Sequence, residues 1–128
     1  MRCRAYVHDT SHLLLGRGDV LVCDASQAAI AGGQTSAAAL KLLAKKKVLL
    51  YSLPGLHAKV VVADDIAFVG SGNASRNSIG AYLIEAGLRS SSPTTLAGAL
   101  AFIHQLLQSP QVTAMTSARL RALGKIKV

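Results

Sequence analysis

The chain has 128 residues, 51% of them hydrophobic, and its fourteen Lys and Arg against six Asp and Glu give a formal net charge of +8. That length fits one domain over 1–128, the apolar fraction excludes a disordered chain, and no uninterrupted apolar run is long enough for a membrane span. The positive excess points to a polyanionic partner, nucleic acid first and an anionic lipid surface second. Met1-Arg-Cys-Arg runs into polar residues rather than an apolar segment, so no signal peptide is visible and a cytoplasmic location is expected. Cys3 and Cys23 lack ligand-like spacing and read as reduced, structural thiols.

The apolar runs separate at turn signals. Gly16-Arg17-Gly18 is a turn, Asp19 to Cys23 (DVLVC) reads as a strand, and Val48 to Leu53 (VLLYSL) as another, closed by Pro54-Gly55. Between them Thr35 or Ser36 can cap a helix through SAAALKLLAKKK, with Leu40, Leu42 and Leu43 inward. A strand, helix, strand unit predicts that part of the sheet is parallel. Lys59 to Ala63 and Ile66 to Val69 are β-branched runs joined at Asp64-Asp65, which suits a tight hairpin; valines on both faces of the first run mark it as central and doubly covered. Ala81 to Glu85 reads as a further strand. Ser92-Pro93 opens a helix with Leu96, Leu100, Ile103 and Leu107 at helical spacing. A last helix is expected from Pro110, with Val112, Met115 and Leu123 inward, ending at Gly124.

The stretch LHAKVVVADDIAFVGSGNAS, 56 to 75, is the most informative. Residues two apart on a strand share a face, so His57 projects with Lys59, and Ser71 with Asn73 after the hairpin returns. An imidazole, an ammonium, a hydroxyl and a carboxamide then converge beside Gly70 and Gly72, where a ligand can approach the backbone. Such a set suits a tetrahedral anion: lysine neutralises phosphate charge, the amide and hydroxyl add oriented hydrogen bonds, and histidine serves as nucleophile or acid.

This spacing resembles the HKD signature of the phospholipase D superfamily: His57, one residue, Lys59, four residues, Asp64, then Gly70-Ser71-Gly72-Asn73. Five residues rather than about six separate Asp64 from Gly70, which leaves open whether Asp64 or Asp65 takes the aspartate's place. The resemblance implies an α/β fold, a mixed β-sheet flanked by helices in a phospholipase D-like domain, with one HKD half per chain. Relatives commonly carry further elements before the first strand. It also implies metal-free phosphodiester chemistry without a cofactor. His57 would attack phosphorus to form a phosphohistidine, Lys59 and Asn73 would bind non-bridging oxygens, and Ser71 would assist. Glu85, twelve residues after Asn73, matches the acidic residue that accepts the nucleophile's other ring N–H, and a plain surface glutamate is the alternative reading.

The family's two-step displacement needs a second histidine across the phosphate. His8, His12 and His104 are not followed by Lys two residues later; His104 reads as a helix histidine, and His8 and His12 fall in what reads as a loop with no metal site expected. The second His57 is therefore expected from a second chain in a two-fold homodimer. The six carboxylates are scattered apart from Asp64-Asp65, unlike a two-metal nuclease. The leading function is a metal-independent nuclease, with basic residues at 41, 45, 46, 47, Arg76, Arg89 and the C-terminal segment as phosphate contacts. The alternatives are a phospholipase or phosphatidyltransferase, and a noncatalytic DNA-binding or assembly module.

Overall fold

The computed structural model describes residues 2–4, 15–58, 60–70 and 87–128. Seven strands, β1 (Arg2–Arg4), β2 (Val20–Cys23), β3 (Leu49–Ser52), β4 (Val60–Ala63), β5 (Ile66–Gly70), β6 (Gly87–Ser90) and β7 (Thr113–Ala114), form one sheet in the order β6-β5-β4-β1-β2-β3-β7. β1, β2 and β3 are mutually parallel, and every other pairing is antiparallel, so the sheet is mixed. Four helices are described: α1 (Gln27–Ala31), α2 (Ala37–Lys45), α3 (Pro93–Leu107) and α4 (Ser117–Leu123).

The two-residue alternation of β2 divides the core. Leu21 and Cys23 join Leu40 and Leu43 of α2, Leu50 of β3 and Leu120 of α4 on one face. Val20 and Val22 join Val60 and Val62 of β4, Ala67 of β5, and Ala99 and Ile103 of α3 on the other. All four β2 residues are buried, as expected of a parallel strand with helices on both sides. Burial, and secondarily the charge of Asp24, pushes the Cys23 thiol up to about 12, which leaves it protonated and inert at neutral pH.

The expected β2, α2, β3 order is present with parallel strands. Ser36 is the residue that caps α2, its Oγ accepting from Ala39 N at 3.2 Å, while Thr35 is buried and turned to another task. The hairpin of β4 and β5 turns at Asp64-Asp65, and β4 is central between β5 and β1.

Several expectations are corrected. Leu42 is 54% exposed because it sits about 200° round the helix from Leu40, whereas Leu43 is only 60° away. Leu100 is 41% exposed because the inward stripe of α3 is centred on Ala99, Ile103 and Leu106, which leaves Leu100 at its rim. β4 is fully buried only on its α3 side, with Val61 and Ala63 half-buried, so the doubly covered strand is β2. The last helix does not start at Pro110: residues 110–111 form a turn, Thr113–Ala114 pair with β3, and α4 starts after Thr116, whose Oγ1 accepts from Arg119 N at 3.3 Å. Leu120 is its buried anchor, while Met115 and Leu123 pack only partly. Ala81 to Glu85 lies outside the described residues; the strand beside β5 is Gly87–Ser90.

Candidate functional site

The parallel strands β2 and β3 point their C-terminal ends at the same edge of the sheet, the edge where ligands bind in open α/β folds. Three bonds fasten the chain leaving β3 to the chain leaving β2. Leu53 N donates to Cys23 O at 2.8 Å, Ala25 N donates to the buried Ser52 Oγ at 3.0 Å, and Gly55 N donates to Asp24 Oδ2 at 2.9 Å. Asp24 is fully engaged: its Oδ1 accepts from Ser26 N at 2.9 Å and its carbonyl accepts from Thr35 Oγ1 at 2.6 Å. Burial alone would raise the Asp24 pKa, but the hydrogen bonds from Ser26 and Gly55 favour the charged form and hold it below the usual carboxylate value.

This clamp delivers His57. Gly55 turns the chain at φ 84°, a conformation that suits glycine, and Leu56 N closes the turn onto Leu53 O at 3.2 Å. Leu56 is buried and Ala58 partly buried against the α3 cluster, so the side chain between them faces outward, and His57 is exposed. β4 begins three residues after His57, at Val60. The register Val60↔Val69 then returns β5 to the same end of the sheet, where it finishes at Gly70. The two halves of the motif thus start from adjacent strand ends, at His57 and at Gly70.

Lys59, Ser71, Asn73, Arg76 and Glu85, and with them His8 and His12, lie outside the described residues. Asp64 is described, and is not brought to His57 within the chain. It is exposed at the hairpin tip, at the opposite end of β4, whose four residues alone span roughly 13 Å. Its φ of 55° identifies it as a turn residue, in a region that aspartate tolerates and β-branched residues do not. Asp64→Val is therefore expected to cost about 1–3 kcal/mol in urea unfolding, and Asp64→Asn far less. Equal losses for the two would show that the turn does not depend on this conformation.

Asp65 is exposed beside it, and His104 is exposed on α3 with Gln108 Nε2 3.2 Å from its ring. Of the basic residues, Lys45 to Lys47 lie at the C-terminal end of α2, where Gly18 N meets Lys47 O just before β2 begins, so they occupy the opposite end of the sheet from His57. Asp24 and Ser52 are site positions that the sequence does not single out, apart from the Asp-x-Ser at 24–26, and Gly55 is marked there only as the end of a strand. Among the described residues no three His, Cys, Asp or Glu lie close enough to hold a metal ion, and no helix is long and apolar enough to cross a membrane.

No protein-family model matches the chain, and no curated protein matches it. Among solved structures it is similar to NucT from Helicobacter pylori, with a TM-score of 0.57 and 20% sequence identity over 84% of this chain and 79% of that one. At that identity the likeness speaks for the fold. The chain has an α/β fold similar to that of NucT, a mixed sheet flanked by helices, with His57 at the C-terminal ends of its parallel strands.

Proposed function

We propose that the chain is one half of a phosphodiesterase that cleaves nucleic acid without a metal, completed by a second copy of itself. The observation that carries this reading is the delivery of an exposed His57 by a clamped loop to the strand-end edge of a phospholipase D-like fold, with Gly70 beginning the second half of the motif at the same edge.

In the first step an imidazole nitrogen of His57 forms a bond to phosphorus as the P–O bond to the leaving group breaks. The partner's His57 gives that oxygen its proton. Water, deprotonated by the partner's His57, then attacks the phosphohistidine and releases the phosphate monoester and the free imidazole. Lys59 and Asn73 neutralise and hydrogen-bond the non-bridging oxygens, where charge builds up, with Ser71 assisting. Glu85 accepts the other ring N–H of His57 and fixes its tautomer, and Arg76 contacts a flanking phosphate. The net charge of +8 favours nucleic acid as the substrate. A phospholipid enzyme would need an apolar acyl site, and the stripe of α3 that offers one is spent on the core through Leu96, Ala99 and Ile103.

Plasmid DNA incubated with the protein in EDTA is expected to be nicked and linearised, and phosphatidylcholine to be left intact. Cleavage that appears only when a divalent metal is restored would contradict the metal-free mechanism. Phospholipid turnover without DNA cleavage would move the reading to the lipid enzyme, and neither activity to a noncatalytic module.

A further inference from the structure

Charge is unevenly distributed over the two faces of the sheet. No Asp or Glu occurs in residues 25–63 or 86–128. α3, which covers one face, carries no Lys, Arg, Asp or Glu. The other face holds Lys41 and the Lys45–Lys47 run on or just past α2, Arg119 and Arg121 on α4, and Lys125 and Lys127 beyond it, all exposed. A groove between the two helices is lined by Lys41, Ala118, Arg121, Ala122, Gly124 and Lys125. Its lining is three cations and three small residues. Lys41 lies across the C-terminal end of α4, its ammonium beside Gly124.

Three cations lining one groove with no carboxylate among them repel one another, and a chain of phosphates removes that repulsion. We propose that the α2–α4 groove is a second polyanion-binding surface, which grips the phosphate backbone of nucleic acid on the face of the sheet opposite α3. A membrane surface is the competing partner, since Leu42, Leu123, Ile126 and the exposed Val128 line a neighbouring pocket, but the cations of the groove itself have no large hydrophobic side chain among them, which favours nucleic acid. No aromatic side chain lines the groove, so binding reads the backbone rather than the bases. The surface holds substrate through contacts independent of the chemistry at His57, and it is testable in a protein that cannot cut.

The experiment is fluorescence anisotropy of a labelled duplex in EDTA, with every variant built on His57→Ala. Lys41→Gln with Arg121→Gln is expected to weaken binding about tenfold near 100 mM salt and to make the slope of log affinity against log salt shallower by about two. Arg17→Glu lowers the net charge by the same two units at an exposed position elsewhere and is expected to change affinity less than about threefold by loss of net charge alone. Because Lys41 also touches α4, the pair Arg121→Gln with Lys125→Gln, both exposed, serves as an independent test with the same expected loss. Equal effects of the groove pairs and the Arg17→Glu control, or unchanged binding in either groove pair, would overturn the proposal. So would binding to phosphatidylserine vesicles that is lost in the groove pairs while duplex binding persists. Since all variants lack His57, a failure here leaves the catalytic reading untouched, and a failure of plasmid cleavage leaves this one standing.

Discussion

His57→Ala is expected to lower phosphodiester cleavage by roughly ten-thousand-fold or more, because in the proposed mechanism it removes the atom that bonds to phosphorus in each chain and the acid that faces it from the partner. The same change is expected to leave folding almost untouched. His57 is exposed, and the packing at this corner is carried by Leu56 and Ala58 on either side of it. Even with the loss of an exposed side-chain interaction such a substitution costs about 1 kcal/mol or less, a shift of several degrees at most in the Tm of a domain this size. Circular dichroism melts beside plasmid assays separate the two effects. Retained cleavage would remove His57 from the chemistry, and a large fall in Tm would make it a structural residue.

Asp24→Ala is expected to act from a distance. Asp24 touches no reacting atom in this account; it is a positioning residue whose Oδ2 holds Gly55 N two residues before His57. Without it the Pro54-Gly55 turn keeps only the bonds through Ser52 and Leu53, and a misplacement of the nucleophile by about 1 Å is enough to cost on the order of a hundredfold in rate. The expected signature is a kcat ten- to a hundredfold lower with KM little changed, and a stability loss of about 1 kcal/mol. Thr116→Ala is the control: it removes the α4 cap from Arg119 N and touches neither Asp24 nor Gly55, so it should lower stability without the fall in kcat. Equal kcat in the two variants would show that the clamp stabilises the fold and nothing more.

The pH dependence follows from the sign of the Asp24 shift. Its folded pKa lies below the unfolded value, so the clamp's contribution is complete above the unfolded carboxylate range and is lost as pH falls through the lowered folded value. Asp24 therefore stays ionised across neutral pH. A fall in kcat between pH 8 and 5 would therefore not report the clamp.

Much of this architecture was legible in the sequence, for local reasons. β2, α2, β3 and the hairpin are strongly patterned, with Ser36 as a cap, Pro54-Gly55 as a stop and paired β-branched runs. What escaped notice owes its structure to distant partners. β1 is only Arg-Cys-Arg and exists because β2 and β4 flank it. β7 is Thr113-Ala114, which pairs along the outer edge of β3, so Pro110 begins a turn and not a helix. α1 is five residues long, held by the Ser26 cap. The site divides in the same way. His57 and the hairpin that returns the chain to Gly70 could be placed by strand parity, but Asp24 stands 31 residues before the backbone N–H it accepts, and only the parallel pairing of β2 and β3 joins them. Asp64 shows the opposite case: its spacing marked it with the histidine, and the hairpin carries it to the far end of the strand.

The central claim is that one composite site needs His57 from both chains, and subunit mixing tests it most directly. Wild-type and His57→Ala proteins, unfolded together in equal amounts and refolded so that chains pair at random, are expected to show about a quarter of the activity of the same total amount of wild type, because only the wild-type pairs, one dimer in four, carry both histidines. Activity at about one half would contradict the account, since it would mean that each chain completes a site with its own histidine alone.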